Sequence, residues 1–598
     1  MSPARPRTRY SIVPVDPAAH LFEVRCTLDD LSAKTQAFEL PAWIPGSYMI
    51  RDFARHIVSW RAENEHGPVA WRKRDKQTWE CDCGSGRELT ITYRVYAWDL
   101  SVRAAHLDDT HAYFNGTSVF VCPIGRECDP VEVDIRPPQG DAYRDWRVAT
   151  SLPERSAPRY GFGLYQAANY AELIDHPVEM GTFTLASFEA GGISHDIAIT
   201  GQHRADMERL QTDLTKICAH HIGMFRTPGL LHRYVFLVMA VGDGYGGLEH
   251  RASTSLMCSR DELPRAGVTA VDVGYQRFLG LCSHEYFHTW NVKRIQPEVF
   301  QRNGLRQEVH TETLWAFEGI TSYYDDLALL RCGLVSTEQY FKVLGETVSR
   351  VWRGGGRFHQ SIAESSFDAW TRLYKMDENA PNAIVSYYSK GSLLALALDL
   401  TLRRDSDIDL DEIMRGLWES YGHSGRGVPE GAIQSFVEEH SGLDLRDFFS
   451  RYLYGTEDIP LVTLLADFGV DLSFCTEPGA DSGKAQPPGP SLGAKVESAN
   501  GEARLANVYE GEAAHRAGLS AGDVLIALDG LRVNVDSLSK RLARYAPGET
   551  LTVHAFRRDE LQQRQLTLDP SPATNAILSL QTDPGSEQAR RRQAWLGV

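Results

Sequence analysis

Long apolar runs are missing from this sequence. The best candidates, YVFLVMAV (234–241) and SLLALALDL (392–400), fall far short of the roughly 20 apolar residues that a membrane-spanning helix needs, so no membrane partner is expected. The opening residues, MSPARPRTRYSIVPVDPAAHLFEV, carry basic side chains with no apolar stretch behind them, and do not read as a secretory leader. Positive charge is in the minority: 62 Lys and Arg stand against 79 Asp and Glu, a net charge of −17. Such a chain lacks the basic face that nucleic-acid phosphates demand, and no nucleic-acid partner is expected. Cysteine is sparse. Ten are scattered through 598 residues without framework spacing, which excludes a disulfide-stapled scaffold and suits reduced thiols in a cytoplasmic protein. The one close pair, Cys81 and Cys83, reads as ordinary strand side chains rather than a metal site. No repeat of 20–50 residues is present.

What is there is a long globular chain, 42% hydrophobic and 24% charged, too long for one core. Residues 1–180 alternate with period two in HLFEVRCTLD, ELTITYRVYAW and VEVDIRP, between turn-rich EHGP, GSGRE and RPPQGD. They predict an all-β domain, with the first sizeable helical pattern at ANYAELIDHPVE (168–179). From 181 to 475 the pattern changes. Two further β stretches, TFTLASFEA and HDIAITG, precede an amphipathic helix with apolar Met207, Leu210, Leu214, Ile217 and Cys218. The stretch HRYVFLVMAVGDGYGGLEHRASTSLMCS reads as two strands around a Gly-rich turn, and helices dominate after it. TEPGADSGKAQPPGPS (476–491) is a linker. Residues 490–570 form a compact α+β module with a helix at DSLSKRLARYA, and 571–598 a C-terminal tail.

The chemistry concentrates in SHEYFHTWNVKRI (283–295). On a helix, His284 and His288 share one face a turn apart and can aim two imidazoles at one ion. Glu285, about 100° around the helix, stands where a general base for a metal-activated water belongs. The helix is apolar on most sides, through Phe278, Leu279, Leu281, Cys282, Tyr286, Phe287 and Trp290, so the polar trio is buried and needs a partner. One zinc ion per chain is the expected cofactor. A third ligand is found in TETLWAFEGITSYYDDLALL (311–330): Glu318, thirty residues after His288, is flanked by Trp315, Phe317 and Ile320. Its competitors are Glu298, beside Pro297 and too near the first helix, and Glu308 and Glu312, in more polar settings. Asp325 shares the face of Glu318. It reads equally as an outer hydrogen-bond acceptor orienting a ligand histidine and as a solvated carboxylate.

HEYFHTWNVKRI followed by LWAFEGITSYYDDL resembles the glycyl aminopeptidase family of zinc peptidases, gluzincins related in catalytic fold to thermolysin and aminopeptidase N. WIPGSYMIRDFARHI (43–57) and NYAELIDHPVE (169–179) are similar to that family's N-terminal β-domain. GYGGLEHRAST (244–254) resembles the exopeptidase motif G-x-M-E-N, with Leu248 for Met and His250 for Asn, and VSYYSKGSLLALAL (385–398) the clan's Y-x-K-G segment. GEAAHRAGLSAGDVLIALDGLRV (511–533), with SLGAKV (491–496) before it, resembles a PDZ domain.

The resemblance implies a multidomain α+β chain: an N-terminal all-β domain (1–180), a thermolysin-like catalytic domain (181–475) and a C-terminal PDZ domain (490–570). It implies removal of N-terminal residues, Gly or Ala preferred, from peptides with a free N-terminus. Within it His284, His288 and Glu318 bind the metal and Glu285 is the base. Tyr388 steadies the oxyanion, with Tyr387 ranked second. Glu249 binds the substrate ammonium, while Gly246 and Gly247 leave backbone room for substrate, or else form a plain hairpin turn. Lys390 supports the local fold or a chain terminus. Two other readings remain: a zinc endopeptidase whose PDZ domain recruits substrates, and a non-catalytic PDZ adaptor. The PDZ groove takes a peptide C-terminus, which the chain's own Leu596-Gly597-Val598 could supply, or has no ligand; alternatively RRRQAWLGV docks as a short helix.

Overall fold

Period-two segments of the first 180 residues become strands because alternate side chains can then share one core. In the computed structural model, which describes residues 8–476 and 488–597, Thr8–Asp16 and Leu21–Leu28 pair antiparallel inside a seven-stranded sheet. Tyr10, Ile12, Phe22, Val24, Cys26 and Leu28 face the interior with Leu89, Ile91, Tyr93 and Val95. Two four-stranded sheets complete this β-domain. The segment 168–179 departs from expectation. Its helix is only Tyr170–Ile174, started by Asn169 accepting from the Glu172 amide at 2.8 Å, and Val178–Gly181 is a strand. Pro177 has no amide hydrogen and stops the helix there.

The chain divides into two compact units, Met1–Val309 with Met414–Pro429, and His310–Ile413 with Glu430–Val598. Beside its β-domain the first unit carries a mixed five-stranded sheet in the order Thr184–Ala190, Ile193–Thr200, Arg233–Val241, Ser253–Ser259, Gly246–Glu249. Where the sequence suggests two strands around a Gly-rich turn, there are three. Gly246–Glu249 is itself an edge strand, antiparallel to Ser253–Ser259, held by burial of Leu248. Helix Met207–Phe225 buries Leu210, Leu214, Ile217 and Cys218 of the stripe its spacing predicts, leaves Met207 half-buried, and packs with helix Val273–Phe287.

The second unit is helical around Ser389–Asp405, which is buried on every side from Lys390 to Leu402. The module after the linker is a sheet of Ala494–Ala499, Glu502–Val508, Val524–Leu528, Thr550–Arg557 and Glu560–Thr567 over Leu505, Leu519, Leu528, Val553 and Leu566. Most of the linker, 477–487, lies outside the described residues, as does Val598 and with it the proposed capture of the chain end. The tail is not loose chain. Asn575–Leu580 pairs antiparallel with Val470–Cys475, and Ser586–Leu596 is a helix. Trp595 is 0% exposed, donates from Nε1 to the Tyr323 hydroxyl at 3.0 Å, and its carbonyl accepts from Arg331 at 2.8 and 3.1 Å. Trp595→Ala is expected to cost about 3–5 kcal/mol, the range for a buried aromatic, read as a lowered denaturant midpoint. No helix among the described residues is long and apolar enough to cross a membrane.

Candidate active site

In the first unit, Asp272 caps helix Val273–Phe287 by accepting from the Tyr275 amide at 2.9 Å. The helix carries His284 and Glu285; His288 follows at its C-terminal cap, still in helical backbone (φ −60°, ψ −16°). The one-turn spacing therefore survives to the helix end, and the two imidazole rings stand 4.7 Å apart at 86°. His288 Nδ1 lies 2.7 Å from the Asn291 carbonyl. A carbonyl only accepts, so the proton sits on Nδ1 and Nε2 keeps its lone pair for a cation. Underneath, Tyr286 meets His195 Nε2 and Ser283 meets His221 Nε2, each at 2.9 Å, and Phe225 stacks on Trp290 at 4.7 Å.

Glu249 ends the Gly-rich edge strand and is 3% exposed; Glu285 is 4% exposed. Their carboxylate oxygens and a His288 ring nitrogen all lie within 4.8 Å of one another. Two buried carboxylates so close repel unless a cation or a proton joins them. Glu249 Oε1 is buried without a hydrogen-bond partner among the described residues. Two glycines make room for the pair. A Cβ on Gly46, where φ is +94°, would overlap the Glu249 carboxylate, and a Cβ on Gly247 would overlap Glu285 Oε1. The Gly247 carbonyl accepts from Arg103 Nη2 at 3.1 Å, while a Cβ on Gly246 would meet only Arg103 Nη1, at 3.6 Å. Gly247 thus seats Glu285, a role its place in the motif does not suggest. Gly247→Ala is expected to push the Glu285 carboxylate aside and lower kcat about 20-fold, part of the hundredfold that a 1 Å misplacement costs; steady-state kinetics check it.

A cleft of about 870 Å³ adjoins this carboxylate pair, lined among others by Trp43, Gly46, Tyr48, Glu249, His250 and Phe300. His250, standing where the motif has Asn, places Nδ1 3.1 Å from Asp175 Oδ1, which also takes Lys293 Nζ at 2.7 Å. Burial opposes ionisation of Asp175, but Lys293 and His250 outweigh it and hold its carboxyl below the usual carboxylate range.

In the second unit Glu318 is 2% exposed within a single π-helical turn, Trp315–Gly319, that leads into helix Ile320–Arg331. Such turns concentrate at functional positions. Of its competitors, Glu298 pairs with Arg302, Glu312 is exposed and Glu308 is half-buried. A Cβ on Gly319 would sit 2.7 Å from the Gly391 carbonyl carbon and 3.0 Å from the Tyr387 oxygen. Glycine at both positions lets the two backbones touch, bringing the Y-x-K-G turn to Glu318. Burial first, and the Glu318 charge next, push the Tyr388 phenol up, so it stays protonated and able to donate. Its oxygen lies 2.9 Å from that of Tyr374, and its ring stacks on Tyr387 at 4.6 Å. Lys390 is buried and donates to the Arg357 carbonyl at 3.4 Å, a contact within the local fold. Asp325 is half-buried, with Oδ1 accepting from the Asp326 amide at 2.6 Å.

Gly46, Arg103, Tyr374 and the Asn291 carbonyl are the contributors that sequence reasoning passed over. Gly46 had a signal, lying inside WIPGSYM, but nothing local ties it to Glu249. Tyr374, in a polar stretch, had none.

Residues 9–182 match the Peptidase M61 N-terminal domain, 277–394 the M61 glycyl aminopeptidase, and 490–568 the PDZ domain. The solved structure of an aminopeptidase N family protein from Idiomarina loihiensis is 41% identical, covering 98% of this chain and 100% of its own, with a TM-score of 0.93. That of an M1 zinc metallopeptidase from Deinococcus radiodurans is 13% identical, covering 76% and 94%, with a TM-score of 0.49. A probable periplasmic serine endoprotease DegP-like of Bartonella henselae is 37% identical over 71 residues, 12% of this chain; the chain spans 14% of that curated relative's length. With its buried His and Glu constellation, the chain is a metallo-aminopeptidase, a hydrolase built from an N-terminal all-β domain, a central catalytic region and a C-terminal PDZ domain. It belongs to the M61 glycyl aminopeptidase family.

Proposed function

We propose that this chain is a zinc aminopeptidase removing N-terminal residues from peptides, Gly or Ala by preference. The observation that carries the reading is the convergence of Glu249, Glu285 and His288, two buried carboxylates and an imidazole whose ligand atoms lie within 4.8 Å of one another. His284, His288 and Glu318 are the residues that would hold one zinc ion. Two neutral imidazoles and a carboxylate are a donor set that catalytic zinc favours, and the tautomer fixed at His288 fits it. When bound, zinc supplies Lewis-acid polarisation and lowers the pKa of water. Asp325 accepts a hydrogen bond from a ligand histidine and orients its ring.

Glu285 takes a proton from the attacking water and returns it to the leaving amine. Glu249 offers its unpartnered oxygen to the substrate α-ammonium, which selects a free N-terminus. Tyr388, held protonated, donates to the developing oxyanion. The PDZ domain takes a peptide C-terminus along Ala494–Ala499, which among the described residues pairs only with Glu502–Val508 and so presents a sheet edge.

The test measures metal content and hydrolysis of Gly-p-nitroanilide by the full chain. One zinc per chain is expected, with turnover lost to a chelator and restored by zinc. Turnover that persists without metal, or a metal-loaded chain inert on every unblocked aminoacyl anilide, would contradict the reading.

A further inference from the structure

Tyr374 and Tyr388, whose hydroxyls meet at 2.9 Å, are the two ends of one loop. Its first half has only short-range support from within: the Ala380 amide donates to the Asp377 carbonyl at 3.2 Å, the Asn379 amide to Asp377 Oδ1 at 3.0 Å, and Asn382 Nδ2 to Asn379 Oδ1 at 3.0 Å. Residues 375–379 are all exposed, and the helix that follows, Ala380–Ala383, has four residues and buries only Ala380. A helix that short does not hold itself together. The far end is tied down: the Val385 amide donates to Gln360 at 3.1 Å, and the Ala383 carbonyl accepts from Arg372 at 2.9 Å.

The middle of the loop, from Glu378 to Asn382, is held by the PDZ domain. Asn382 uses both ends of its amide on PDZ main chain, Nδ2 donating to the Val508 carbonyl at 2.9 Å and Oδ1 accepting from the Glu510 amide at 3.0 Å. Asn507 Nδ2 donates to the Glu378 carbonyl at 2.9 Å. Beside them Arg353, at the end of helix Thr337–Arg353, forks onto Glu512 at 2.6 and 3.0 Å and lies 3.4 Å over the Tyr509 ring. A fork of this kind fixes direction as well as distance. The grip is tied to the PDZ loop Ser491–Gly493, since the Tyr509 amide donates to Gly493 at 3.0 Å and the Ala514 amide to Leu492 at 2.7 Å.

We propose that Asn382 is a positioning residue for Tyr388, and that the PDZ domain, gripping Asn382 and docked through Glu512 onto Arg353, holds the oxyanion donor in place. The inference rests on the role given to Tyr388 above. It makes the PDZ domain a working part of the aminopeptidase site in addition to a peptide-binding module.

The experiment is steady-state kinetics of the full chain with Asn382→Ala, Glu512→Gln, Tyr388→Phe and the Asn382→Ala/Tyr388→Phe double variant. Asn382→Ala is expected to lower kcat about tenfold with KM within about threefold, and the isosteric Glu512→Gln to lower it severalfold in the same pattern. The double variant should be no slower than Tyr388→Phe alone, because Asn382 acts through that hydroxyl. Asn382→Ala and Glu512→Gln both within twofold of wild type, or a double variant whose losses multiply, would overturn the inference while leaving the Tyr388 assignment standing. Wild-type turnover in Tyr388→Phe would remove that assignment and the inference together.

Discussion

Glu285→Gln is expected to lower kcat about 10³- to 10⁴-fold while the chain keeps its metal. The amide has the shape of the carboxylate and fits the space that Gly247 leaves, so helix Val273–Phe287 is undisturbed. It cannot accept the proton of the attacking water, and general-base transfer carries a factor of that size. Two readouts separate this from a packing defect. Metal content by atomic emission should match the wild type, and the melting temperature should not fall, because the change removes one of two neighbouring buried carboxylates. Turnover above a few per cent of wild type would remove Glu285 as the base.

The second large effect concerns the substrate's charge. The Glu249 oxygen without a partner is buried, and a buried carboxylate that gains an ammonium gains a charge-assisted bond of about 2–3 kcal/mol. N-acetylation deletes that charge and adds a group against Gly46 and Glu249, so blocked peptides should be hydrolysed at least about 10³-fold more slowly. Glu249→Gln should cost unblocked substrates about 30- to 150-fold in kcat/KM, the same energy expressed as a ratio. Its discrimination between blocked and free peptides should shrink accordingly. Equal rates on both in the wild type would instead favour an endopeptidase.

What could be read from the sequence follows from how local each signal is. His284, Glu285 and His288 lie within five residues, and helical geometry alone relates them. Glu318 was legible because a carboxylate between Trp315, Phe317 and Ile320 has few bland explanations. The glycines were not. Gly46, Gly247 and Gly319 matter through the atoms a Cβ would strike, and those atoms come from 203, 38 and 72 residues away. The extra edge strand was missed because four residues with two glycines carry almost no strand signal; pairing with Ser253–Ser259 supplies it. At the end of the chain the short docking helix in RRRQAWLGV was legible, and the returning strand before it was not. Asn575–Leu580 finds its partner about a hundred residues back, and no local periodicity announces that pairing.

That returning strand changes how the protein can be cut. Cys475 and Asn575 face each other across a ladder, so the PDZ domain is an insertion that leaves and rejoins its host at one spot. A stop codon placed just after the PDZ domain would spare the module and strip its host of a strand and a helix. Splicing a tight turn between Cys475 and Asn575 would do the reverse, lifting out the module and leaving its host's ladder closed.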